Sequence, residues 1–239
     1  MDLTGKKILI SIPCRDTVSV DFVVGILSLM KPCECHFRFG TSGLVFDARD
    51  EAVLTAVALK YDYVLFIDAD MAFNPDALLQ MTMHDDPVIT GLYYKRKGNH
   101  EPVLCKQVEM RRDGIEACAI TETDIEGKEY FQVEGCGFGF CLIKTEVFEK
   151  VLDYREKHHG ARTAFEPLPG MGEDYSFCYV LKELGIPIMC DSTIWLGHCG
   201  TYVYNLLGQK VAAGITSDQI MELPDGFYII GGKKVLIRE

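Results

Sequence analysis

Apolar and polar positions along the chain switch repeatedly between strand-like and helix-like spacing. KKILISIP (6–13) sets a charged pair before an apolar run and predicts a first strand. From about Thr17 to Met30 the spacing turns helical, with Asp16 or Thr17 as N-cap. CHFRFG (35–40) predicts a short second strand. FDARDEAVLTAVALK (46–60) predicts a helix capped by Asp47, with Ala52, Val53, Ala56 and Val57 on one face. YDYVLFIDADMAF (61–73) carries the third strand, NPDALLQMTMH (74–84) a helix with Pro75 near its first turn, and PVITGLYY (87–94) the fourth strand. This alternation predicts a parallel sheet with helices on both faces. Such sheets bind ligands at the carboxyl ends of their strands.

The rhythm changes after Tyr94. PVLCKQV (102–108), IEACAI (115–120) and EYFQVEG (129–135) predict short antiparallel strands, with a turn around 124–127. GFGFCLI (137–143) predicts a strand, TEVFEKVLDYREKHH (145–159) a helix capped by Thr145, and GEDYSFCYVLKELG (172–185) a helix ending at Gly185. IPIMCD (186–191) and TIWLGH (193–198) predict strands, and GFYIIGGKKVLIRE (226–239) a hairpin turning at Gly231 and Gly232. No repeat, low-complexity stretch or linker interrupts the pattern, which reads as one domain over 239 residues.

Charge narrows the functional classes. Lys and Arg total 24 and Asp and Glu 35, a net charge of 24 − 35 = −11, which argues against a sequence-independent grip on nucleic-acid phosphates. The ten cysteines form no CxxC pair, and Cys141, Cys178 and Cys190 sit inside apolar runs, so they read as reduced core residues. CECH (33–36) lacks the second half of a zinc site. The N-terminal segment has no apolar stretch long enough for a signal peptide or membrane span, so the expected location is cytoplasmic.

Three clusters carry candidate chemistry: Asp68-Ala69-Asp70 just past an apolar strand, Gly172-Glu173-Asp174 opening a helix, and Gly197-His198 at a strand end. Two carboxylates spaced i, i+2 beyond a strand can share one face of a turn, and hard oxygens so placed suit Mg²⁺ or Mn²⁺. Read singly, Asp68 also serves as a cap, acids favour the first turn of any helix, and a strand-end histidine is often structural. Their combination is more specific.

In order, YDYVLFIDADMAFNPDALLQMTMHDDPVITGLYY, VEGCGFGFCLIKTEVFEKV and GMGEDYSFCYVLKELGIPIMCDSTIWLGHCGT resemble the GT-A type of nucleotide-sugar glycosyltransferase, nearest its small bacterial and viral members, over roughly Lys7 to Thr201. The resemblance implies an α/β, Rossmann-like, mostly parallel sheet flanked by helices, with a small antiparallel portion. Residues 1–100 would form the nucleotide-binding half and 101–200 the acceptor and catalytic half; 201–239 is a tail with a hairpin outside the resemblance, open to covering the site, capping the sheet or mediating dimerisation. The resemblance further implies a Mn²⁺ (or Mg²⁺) ion held by Asp70 and His198, with Asp68 on the ribose or reaching the metal through water. Pro13, Cys14 and Arg15 would line the nucleoside pocket with Ala69, Arg49 would reach the nucleotide or diphosphate, and Gly137 would let the backbone lie close to the sugar. Asp174 would be the general base of an inverting transfer and Glu173 would orient the acceptor. The donor would be a UDP-sugar first and a GDP-sugar second, and the acceptor a glycan hydroxyl.

Three alternatives stay open. VLFIDADM (64–71) also resembles the haloacid-dehalogenase phosphatase motif, with Asp68 as nucleophile, although Met71 and Ala72 depart from it. A sugar-nucleotide-binding module without activity is the non-enzyme alternative. A glycosyltransferase acting on modified DNA bases is the third, with Lys95-Arg96-Lys97 or Arg111-Arg112 as its basic patch.

Overall fold

A computed structural model describes residues 3–95, 101–111 and 114–199, and beyond them the backbone of four further strands. In chain order the elements are β1 (Lys7–Pro13), α1 (Val20–Ser28), β2 (Glu34–Gly40), α2 (Val45–Ala58), β3 (Tyr63–Ile67), β4 (Met71–Phe73), α3 (Ala77–Met81) and β5 (Val88–Gly91). There follow β6 (Leu104–Arg111), β7 (Gly114–Ala119), α4 (Glu122–Ile125), β8 (Tyr130–Val133), β9 (Gly135–Cys136), β10 (Phe140–Lys144), α5 (Thr145–His159), α6 (Glu173–Glu183), β11 (Ile188–Asp191) and β12 (Leu196–His198). The last four are β13 (Tyr202–Asn205), β14 (Lys210–Ala213), β15 (Gly226–Ile230) and β16 (Lys233–Ile237).

The central sheet has seven strands in the order β2-β1-β3-β10-β5-β11-β8. β1, β2, β3, β5 and β11 run one way, and β10 and β8 run against them. The expected parallel sheet is therefore interrupted by β10, wedged antiparallel between β3 and β5. β3 is buried at every position because helices cover both faces, which is why its sequence is an apolar run rather than an alternation. Its side chains still alternate. Val64 and Phe66 pack with Val53 of α2, Phe148 of α5 and Phe177 of α6. Leu65 and Ile67 pack with Phe22 of α1 and Leu78 of α3.

Smaller antiparallel sheets surround this core. β7-β6-β9 forms one, the pair β4 and β12 another, and β14-β13-β15-β16 a third. β15 and β16 are the two strands of the expected hairpin; its Gly231-Gly232 turn, Arg96, Lys97 and Arg112 lie outside the described residues.

Several local expectations are corrected. α1 begins at Val20, and Ser19, not Asp16 or Thr17, caps it by accepting the Phe22 N–H at 3.0 Å. Leu44 rather than Asp47 holds the N-cap position of α2, and Asp47 lies in its first turn. Lys144 precedes α5, with Thr145 its first residue. α3 is confined to Ala77–Met81. The turn expected near 124–127 is preceded by the short helix α4, closed by a Thr121–Asp124 capping box.

All ten cysteines are unpaired, five of them buried. Burial is the main influence raising the Cys190 thiol, as expected of a core sulfhydryl. Denatured without reductant, the chain should titrate close to ten thiols; a deficit of several would contradict the reduced assignment.

Candidate active site

β3 ends at Ile67, and the backbone turns at once. The Asp68 N–H donates to the Gly139 carbonyl at 2.9 Å, and the Met71 N–H donates back to the Asp68 carbonyl at 3.1 Å. β4 then pairs antiparallel with β12, placing Met71 opposite His198, and the Cys199 N–H donates to the Asp70 carbonyl at 2.7 Å. Two three-residue strands thereby bring together side chains 128 positions apart. His198 Nε2 lies 3.5 Å from Asp70 Oδ1, and His198 Nδ1 lies 3.1 Å from the Tyr94 carbonyl oxygen. A carbonyl only accepts, so Nδ1 carries the proton and Nε2 is the nitrogen turned toward Asp70. An imidazole oriented through its other nitrogen is the usual support of a metal-ligating histidine. The Tyr93 ring meets His198 edge to face, centroids 5.6 Å apart.

These residues border a cleft of about 700 Å³ at the carboxyl ends of β1 and β3. Pro13, Cys14 and Arg15 form one wall, and Asp68, Ala69, Asp70 and His198 another. Arg15 is exposed and makes no ion pair among the described residues. A second cleft of about 650 Å³, near Lys6, Asp62 and Lys144, lies at the opposite end of the sheet. The carboxyl-end cleft is the one that such sheets use for ligands.

Arg49 lies behind this wall rather than in it. It is 2% exposed, and its guanidinium holds three carboxylates: Nη2 to Asp68 Oδ1 at 3.1 Å, Nη1 to Glu173 Oε1 at 3.2 Å and Nη1 to Asp174 Oδ1 at 2.5 Å. Burial opposes its charge, but Asp174, Asp68 and Glu173 outweigh that, and its pKa is raised. Arg49, expected to reach the nucleotide or diphosphate, here forms a buried tie between carboxylates. Asp68 turns to Arg49, and among the described residues no group of three or more His, Cys, Asp or Glu is arranged to hold a metal ion. Asp70 and His198, the expected direct ligands, form a two-residue corner, while Asp68 is held by Arg49. A small divalent ion held by one or two protein ligands, with phosphate oxygens and water completing its shell, fits such a corner.

Glu173 and Asp174 open α6, where acids favour the helix dipole. Asp174 is raised from 3.8 to about 6, first by withdrawal from water, with Glu173 and Asp68 adding to the rise and Arg49 opposing it. One cation facing three carboxylates leaves negative charge in excess, which disfavours full ionisation of the cluster.

Gly137 and Gly139 both lie against the Tyr93 side chain. A Cβ on Gly137 would collide with the Tyr93 hydroxyl and stand 2.7 Å from Val103, and one on Gly139 would stand 2.8 Å from the same hydroxyl. The glycines make room for Tyr93, whose oxygen accepts the Gly139 N–H at 3.0 Å. Tyr93, the Tyr94 carbonyl and Ser19 escaped the sequence reading. The adjacent tyrosines beyond an apolar strand were the available signal for the first two.

No protein-family model and no curated protein matches the chain. Among solved structures it is similar to A197 from STIV, at 19% identity and a TM-score of 0.52, over 98% of this chain and 95% of that one. It is also similar to GalNAc-T7, solved with UDP, GalNAc and Mn²⁺, at 10% identity and a TM-score of 0.53, over 81% of this chain and 44% of that one. The shared property is the fold, a GT-A-like α/β arrangement. No helix among the described residues is long and apolar enough to cross a membrane.

Proposed function

We propose that this protein is a metal-dependent, inverting glycosyltransferase that moves a sugar from a nucleoside diphosphate sugar, UDP first and GDP second, to a hydroxyl of a glycan acceptor, within a single domain. The observation that carries the reading is the meeting, at the carboxyl end of a GT-A-like sheet, of the Asp70–His198 corner with the Asp68–Arg49–Asp174 chain of contacts. Asp70 and His198 would hold a Mn²⁺ or Mg²⁺ ion, which when bound supplies Lewis-acid neutralisation of the departing diphosphate. Arg15 and the 13–16 loop would line the nucleotide side of the cleft. Glu173 would orient the acceptor, and Asp174 would take the proton of its hydroxyl. The phosphatase alternative lacks such support, since Asp68 is tied to Arg49 rather than free to attack. The reading extends to a glycan acceptor, a cytoplasmic location and a dimer contact through the tail.

A thermal-shift panel tests the donor. UDP-, GDP- and dTDP-sugars are compared with and without Mn²⁺, because a ligand of the native state raises the melting temperature by mass action. One nucleotide-sugar should raise it only with the metal present. No shift with any donor would overturn the reading.

The pH dependence follows from Asp174. As pH falls through about 6 the base gains a proton, and kcat/KM should drop about tenfold per further unit. Its contribution to stability runs the other way. A carboxyl with a folded pKa of about 6 against 3.8 binds its proton more tightly in the native state. It stabilises the fold fully below 3.8, and that contribution is lost as pH rises through about 6. Between those values Asp174→Asn should flatten the wild-type slope of melting temperature against pH; an unaltered slope would contradict the raised pKa.

A further inference from the structure

The geometry points to Arg49 as a positioning residue that locks the donor-side carboxylate Asp68 and the acceptor-side pair Glu173 and Asp174 into one rigid unit. This rests on the glycosyltransferase reading. The two sides come from distant parts of the chain: Asp68 follows β3, and Glu173 and Asp174 open α6. No hydrogen bond or ion pair between described residues joins those carboxylates directly; each is held by the guanidinium.

The fork suits this work. Nη1 serves the α6 side and Nη2 the β3 side, so a planar group with fixed angles sets the distance between them. An ammonium on a single stem has no second nitrogen to span the two. Arg49 is itself held in place: its guanidinium carbon lies 5.6 Å from the Phe138 ring centroid and 5.8 Å from that of Phe165. The next residue, Asp50, accepts the Ala164 and Phe165 N–H groups at 2.7 and 2.8 Å, fixing the loop that leads toward α6. One turn of α2 thus aligns both halves of the site. Since the guanidinium does not line the cleft, its effect on a bound sugar passes through the carboxylates.

Charge gives the same arrangement a second consequence. The titratable and charged groups facing Asp174 are Arg49 from α2, Asp68 beyond β3, its neighbours Glu173 and Tyr175, Tyr93 beyond β5, and the thiols of Cys136 on β9 and Cys178 on α6. Arg49 is the sole cation in that set.

The test compares Arg49→Lys, which keeps the charge and loses the fork, with Arg49→Met, which loses both. Arg49→Lys should lower kcat by about tenfold to a hundredfold, the cost of a misplaced reacting group. The donor KM should change far less than kcat, since the guanidinium does not line the cleft and reaches the donor only through Asp68. Its acidic pH limb should remain where the wild type has it. Arg49→Met should move that limb upward by about one to three units. Carboxyl-labelled NMR titration of Asp174 in the same variants reads the charge effect without any turnover, and circular dichroism reports folding. If Arg49→Met does not fold, Arg49→Lys still decides the question. A wild-type kcat in Arg49→Lys, or a loss confined to donor KM, would overturn the positioning role. If wild type transfers no sugar while the Asp174 titration still moves on substitution, the glycosyltransferase reading falls and the coupling through Arg49 stands.

Discussion

Asp174→Asn should bind donor as wild type does and transfer sugar at least about a hundredfold more slowly, the range expected of a lost general base. In a single displacement the acceptor hydroxyl attacks the anomeric carbon opposite the departing diphosphate, and its proton must be taken on that face. Asp174 suits the task by position and by affinity. It is fixed in the first turn of α6 and tethered to Arg49, and its pKa of about 6 keeps it ionised at neutral pH yet basic enough to accept a proton. Asparagine preserves the oxygen that accepts from Arg49 and lowers the excess negative charge around it, so the fold should survive. Rates from initial-velocity measurements check this, with donor affinity measured separately. An Asp174→Asn enzyme working near the wild-type rate would remove Asp174 from its role.

Asp70→Asn should abolish the Mn²⁺-dependent part of nucleotide binding. The amide keeps the shape of the side chain but not the charge that a hard divalent cation requires. The substitution should leave the local backbone in place, because the contact that closes the turn is made by the Asp70 carbonyl, which accepts from the Cys199 N–H whatever the side chain. The melting temperature with Mn²⁺ and nucleotide should therefore fall back to that of the protein alone. His198→Ala should weaken the same binding less, since one hard oxygen ligand and the diphosphate remain. Equal metal-dependent shifts in Asp70→Asn and wild type would show that the corner does not hold the metal.

Legibility in the sequence followed the length of each signal. β3 and α2 are legible because an unbroken apolar run and a long helix-forming stretch that buries Ala52, Val53 and Ala56 each extend over several residues. The direction of β10 was not, since an apolar run reads the same in a parallel or an antiparallel neighbour. The start of α1 was misread because Asp16 and Thr17 are good caps, yet residues 13–19 form the cleft wall and Ser19 does the capping. DxD, the acids at 173 and 174 and His198 were visible as residues, while their meeting was not. It depends on β4 and β12, each three residues long and too short to show a period. Arg49 shows the same limit: an arginine in a polar helical turn reads as exposed, and only the packing of α2 behind the end of β3 reveals it as buried.

The most direct measurement is proton NMR of the sugar's anomeric coupling as it leaves an α-linked nucleoside diphosphate donor, with water as acceptor if no glycan is in hand. The account predicts metal-dependent consumption of the donor and a first-formed product in the β configuration, seen before mutarotation. Retention of the α configuration, or a donor that stays intact with enzyme and metal present, would contradict it.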